Sequence, residues 1–170
     1  MQRIICGLCI GLTAIFVGHA ALAQSPAPVP DKMPFDVPIG TSINLAQAKD
    51  LLPVAEAEAR RHDWKMAIAI VDTSGELVAF EKMDGTQMSS VTIAINKAYT
   101  SARFRRATAV FFKAMETGHP YVATLDPRLV ASPGGIPLVE NGKLIGAIGC
   151  SGGTGGQDAL VCNAAASKVH

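Results

Sequence analysis

The sequence predicts an α+β domain: an antiparallel β-sheet built from two hairpins and flanked by helices, in the order α-β-β-α-α-β-β-α. Three observations carry this. Asn141-Gly142 separates two apolar runs and supplies the two φ > 0 residues of a type I′ turn. Asp72-Thr73-Ser74-Gly75 turns the chain between the runs 66–71 and 77–80 in the same way. Apolar residues recur at helical spacing before the first hairpin and between the two. Strands joined by short turns pair antiparallel, because a parallel pair needs a long crossover.

The elements follow in order. Residues 1–23 read as a secretory signal peptide: Arg3 supplies the positive start, residues 4–17 are largely apolar, and Ala21-Leu22-Ala23 offers small residues at the cleavage positions. The apolar run is short and interrupted by glycine, and its flanks fit a cleaved leader better than a retained membrane anchor. The rest of the chain is therefore expected to be periplasmic or secreted. Residues 24–43 form a proline-rich arm or linker with Pro26, Pro28, Pro30, Pro34 and Pro38, expected to lie extended outside the core. The domain proper spans residues 44–170.

Asn44 and Gln47 form a capping box, and Leu45, Ala48, Leu52, Ala55 and Ala59 continue at helical spacing. Pro53 is expected to kink or split this helix. After the first hairpin and the Asp84-Gly85 turn, residues 89–104 read as the middle helix. Thr108 is placed to cap a short helix through Met115, ending at Gly118. Residues 119–132 read as a long loop. The second hairpin then leads through a glycine-rich loop into a last helix over about 157–168.

Lys and Arg number 15 against 14 Asp and Glu, and loss of Arg3 with the leader balances them. No basic excess points to nucleic acid and no acidic tail to a cationic partner. Cys6 and Cys9 leave with the leader. Cys150 and Cys162 remain, to be read either as buried thiols or as one disulfide in an oxidising compartment. Neither has an adjacent base in sequence that would make it a nucleophile.

Four ordered blocks resemble the GlcG/HbpS-like proteins. They are Asn44-Leu-Ala-Gln-Ala with residues 68–85, the stretch Lys97-Ala-Tyr-Thr-Ser-Ala-Arg-Phe104, Pro133-Gly-Gly-Ile-Pro-Leu138, and residues 145–158. The likeness runs from about Leu45 to the C-terminus. Such proteins are similar to the C-terminal domains of some corrinoid adenosyltransferases, and several bind haem. Secreted members are tied to haem or iron sensing, and intracellular ones to glycolate utilisation. The resemblance implies a haem-binding homo-oligomer rather than an enzyme, without nucleic-acid or membrane partners once the leader is removed. The alternative is a binding protein, or an enzyme or enzyme accessory, acting on a small carboxylate such as a hydroxy acid.

Candidate ligand-binding residues come first from the middle helix. Lys97, Tyr99, Thr100 and Arg103 lie within two turns, and the i,i+3 pairs Lys97–Thr100 and Thr100–Arg103 share a face. That face would hold a carboxylate or haem propionate, or else stand in solvent or in a subunit contact. Gly152, Gly153 and Thr154 open the last helix, where outward N–H groups suit an anion. The loop lacks the Gly-Lys-Ser/Thr ending of a nucleotide phosphate loop. His119 follows a helix bearing Phe111, Phe112 and Met115 and is the candidate haem-iron ligand, against the plainer reading of a solvated loop histidine. His62 and His170 are weaker candidates, at a polar helix end and at the chain terminus.

Overall fold

The computed structural model describes residues 29–33 and 35–170, so the expected leader lies outside the described residues. The body from Met33 to His170 holds every named element. These are α1 (Leu45–Arg61), β1 (Ala67–Val71), β2 (Leu77–Lys82), α2 (Ser90–Phe104), α3 (Ala109–Glu116), a 3₁₀ turn (Pro120–Thr124), β3 (Gly135–Glu140), β4 (Lys143–Ser151) and α4 (Gly155–Ala166). The α-helices and strands follow the expected order. Among the described residues no helix is long and apolar enough to cross a membrane.

The strands form one antiparallel sheet in the order β2-β1-β4-β3, so the two hairpins meet along their inner strands β1 and β4. Asn141 and Gly142 both have positive φ, as the tight turn requires. Alternation along β1 and β4 sorts the side chains into two layers. Ala67, Ala69, Val71 and Ala147 meet Ala94, Ala98 and Ala102 of α2. Ile68, Ile70, Ile148 and Cys150 face the other way, with Leu51 and Leu52 of α1 and Val161 and Cys162 of α4.

Local details differ from expectation where packing overrides propensity. The Asn44–Gln47 capping box forms, but α1 runs as one 17-residue helix through Pro53. Pro53 and Lys49, whose carbonyl loses its partner, both lie on the exposed face, while Ala48, Leu51, Leu52, Ala55 and Ala59 are buried. The buried stripe outweighs one missing bond. Thr108 precedes α3 but caps nothing: its hydroxyl accepts the Gly135 N–H at 2.9 Å. The end of the proline-rich segment joins the body. Pro38 accepts from Leu144 N–H, Gly40 and Ile43 donate to Leu144 and Ile145, and Ile43 is buried.

Candidate functional site

Helix α2 sends its candidate residues into two environments. Lys97 is 1% exposed, and its Nζ donates to Asp158 Oδ2 at 2.6 Å and to the Cys150 carbonyl at 3.2 Å. Asp158, 2% exposed, accepts on Oδ1 from the backbone N–H groups of Gly152 and Gly153, each at 3.0 Å. The glycine loop therefore folds back over the first turn of α4. Its N–H groups, expected to point outward at an anion, meet the chain's own carboxylate. Lys97 likewise is not part of a solvated stripe. It joins the α2 layer to α4 past the end of the sheet, and Gly134 leaves room for the pair: a Cβ there would lie 2.7 Å from Asp158 Cβ and 3.0 Å from Lys97 Nζ. Burial pushes the Lys97 pKa down, opposed by the hydrogen bond and charge of Asp158.

Thr100 is also buried. Its hydroxyl donates to the Asn96 carbonyl at 2.7 Å and accepts the Val130 N–H at 3.0 Å, fastening the loop after the 3₁₀ turn to α2. Thr154 caps α4: it accepts the Gln157 N–H, while Gln157 Oε1 accepts the Thr154 N–H at 2.8 Å. This reciprocal box starts the helix at Gly155, two residues earlier than expected.

Tyr99 and Arg103 occupy the outer flank of α2. Tyr99 is half-buried, and its hydroxyl donates to Asp126 Oδ2 at 3.0 Å. The Arg128 guanidinium stacks 3.8 Å above the Tyr99 ring, and that of Arg103 lies 5.9 Å from the same centroid. Arg128 is held further by Nε on Asn96 Oδ1 at 3.2 Å and by its backbone N–H on Asp126 Oδ1 at 2.7 Å. Asn96, Asp126 and Arg128 escaped the sequence reading. They sit 27 to 32 residues from their partners, where no helical or strand spacing links them.

His119 stands apart, just beyond α3. It is exposed, its Nδ1 lies 3.4 Å from Thr117 Oγ1, and its ring meets Tyr121 edge-on at 6.0 Å. Phe111 is buried against Phe104, but Phe112, Met115, Tyr121 and Leu125 are each at least 40% exposed. This corner thus carries an imidazole, apolar surface and the cation Lys113. An imidazole, apolar side chains and a cation are the kinds of group that could hold a haem. Surface hollows near α1 lie elsewhere and include neither His119 nor Lys97 in their linings. Among the described residues no three His, Cys, Asp or Glu side chains converge on a metal site. His62 is taken up by Glu58 at 3.2 Å and by stacking on Trp64, and the His170 carbonyl accepts the Asn141 N–H.

Cys150 and Cys162 form a disulfide, closing the alternative that the residues had left open. It links the end of β4 to α4 on either side of the glycine loop. No free thiol remains in the body for nucleophilic chemistry.

The body is thus an α+β domain, a four-stranded antiparallel sheet between α2 and the α1–α4 layer, with the glycine loop closed over the first turn of α4. The family model described as haem degrading protein HbpS-like matches residues 43–167, and the chain belongs to that HbpS-like family. The chain is 35% identical over 127 residues to an uncharacterized 15.0 kDa protein of the dhaT-dhaS intergenic region of Citrobacter freundii, covering 73% of this chain and 89% of that one. It is 36% identical over 113 residues to protein GlcG of Escherichia coli K12, covering 65% and 84%. In fold it is similar to the crystal structure of a PduOC–heme complex, with a TM-score of 0.71, 24% identity, and coverage of 76% and 96%.

Proposed function

We propose that this chain is an exported, periplasmic or secreted haem-binding protein that handles or senses haem as a homo-oligomer. The supporting observation is that the HbpS-like family model spans nearly the whole domain. The fold shared with a haem complex and the exposed apolar corner around His119 agree with it. On this reading His119 supplies the iron ligand, and Phe112, Met115 and Tyr121 offer the macrocycle an apolar rest. Haem brings the iron and its redox chemistry. Because one protomer leaves that corner open, a second copy would supply the covering surface. Export rests on the leader-like residues 1–23, and mature protein beginning at Gln24 in a periplasmic fraction is the expected result.

Titration of the mature protein with haemin at micromolar concentration tests the reading. A saturable Soret shift is expected, displaced in position by His119→Ala. A correctly folded protein that gives no shift overturns it. The small-carboxylate alternative drew on the glycine loop and on the Lys97–Arg103 face. The loop and Lys97 are committed to Asp158, which leaves only the Arg103 end of that face open.

A further inference from the structure

The outer flank of α2 holds two guanidinium groups without a carboxylate partner. Among the described residues neither Arg103 nor Arg128 has an Asp or Glu oxygen within salt-bridge distance. Both lie over or beside the Tyr99 ring. Asp126 is the nearby acid, and its two oxygens are used by the Tyr99 hydroxyl and the Arg128 backbone N–H. Arg128 is prearranged: ring stacking and the Nε bond to Asn96 fix its plane, and its two terminal NH₂ groups have no hydrogen-bond partner among the described residues. Every buried side-chain polar atom described has a partner, so those NH₂ groups reach solvent. A guanidinium with its plane already fixed loses little further freedom on binding, and its fork matches a carboxylate through two parallel bonds.

We propose that Arg128 and Arg103, arranged around Tyr99, form an anion station for the carboxylates of a bound ligand. This deepens the haem reading and rests on it for the ligand: the carboxylates would be the two haem propionates, whichever group ligates the iron. Arg128 is the principal contact because it is held rigidly. Arg103 is exposed and adds charge to the same ring. The station is separate from Lys97 and Asp158, whose charges are buried and paired.

The test uses the mature protein and its Arg128→Gln, Arg128→Lys and Arg103→Gln variants, with unfolding midpoints recorded first so that only folded variants are compared. Metal-free protoporphyrin IX, followed by its fluorescence, removes any contribution from iron ligation. Wild type is expected to bind protoporphyrin IX at least about tenfold more tightly than Arg128→Gln, the scale of one lost charge-assisted pair. Arg128→Lys should fall between, because it keeps the charge and loses the fork. Protoporphyrin IX dimethyl ester should bind wild type and Arg128→Gln alike. If haemin and protoporphyrin IX bind all four proteins equally, the station is wrong and the haem reading stands. If wild type binds no porphyrin, but succinate raises its melting midpoint and not that of Arg128→Gln, the station stands and the haem reading falls. If neither porphyrin nor succinate binds, the station is wrong as well.

Discussion

On β4, Ile148 and Gly149 are neighbours in sequence and belong to opposite layers. Ile148 enters a layer of branched and long side chains beneath α1 and α4, whereas Gly149 lies under α2 in a layer built almost wholly of alanine. A Cβ added at Gly149 would come 2.1 Å from the Ala94 carbonyl oxygen and 2.5 Å from the Ala98 nitrogen, and one at Gly135 2.3 Å from the Lys97 carbonyl oxygen. The α2 backbone itself is thus the packing surface on that face. One layer is held by side-chain volume and the other by backbone proximity, which places Lys97 and Thr100 at fixed depth. Their sensitivities should therefore be opposite in kind. Gly149→Ala meets backbone that cannot swing aside and is expected to cost more than about 3 kcal/mol, beyond ordinary overpacking. Ile148→Ala removes volume and is expected to cost about 2–5 kcal/mol, according to how far its layer collapses. Urea unfolding of both variants decides. A Gly149→Ala protein within about 1 kcal/mol of wild type would mean that α2 can lift off the sheet.

The ion pair between the layers gives the next effect. Lys97 and Asp158 are both buried and hydrogen-bonded, so losing one partner leaves a desolvated charge behind. Lys97→Met strands Asp158 with its two glycine N–H donors, and Asp158→Asn strands the ammonium. Each is expected to cost about 3–5 kcal/mol. The double variant removes both charges and keeps an amide oxygen for the loop, so it should lose much less than the two single losses added together. Equal additivity in the urea cycle would show that the pair is not coupled.

The element order was legible because its signals are local: the Asn141-Gly142 turn, the Asp72–Gly75 turn, and the spacing of Leu45, Ala48 and Leu52. What the sequence hid was long-range. Lys97 and the end of the 145–158 block, Asp158, both lie in stretches read at the outset, but they are 61 positions apart and nothing local marks them as partners. The same holds for Thr108, read as a helix cap because of its type and place, yet used by Gly135 across 27 positions. Pro53 acted in the opposite sense: the split that a strong local rule allows lost to a buried helical stripe, and α1 continues through it. Thr154 and Gln157 carried a readable capping box, and recognising it would have placed the start of α4. Tyr99 and Arg103 belong to a block read at the outset, but Asn96, Asp126 and Arg128 complete their surroundings only once the loop after the 3₁₀ turn folds back on α2.

The edge of the side-chain-packed layer gives the smallest effect and a pH signature. Glu81 on β2, the outer strand beside α1, has its pKa raised first by burial and then by the neighbouring charge and hydrogen bond of Glu56, with Arg60 opposing. A carboxyl whose folded pKa exceeds its unfolded value holds its proton more tightly in the native state. The native state then binds more protons than the unfolded one just above the ordinary carboxylate range, and unfolding free energy falls as pH rises through that window. Glu81→Gln removes the cost of ionising this group. The variant should be somewhat more stable than wild type at pH 7, and the two should converge below about pH 4, where wild type is protonated in both states. Thermal midpoints of the two proteins across that range measure it. Parallel curves would show that Glu81 is solvated like an ordinary surface acid, and that the rim of this layer, unlike its interior, excludes no water.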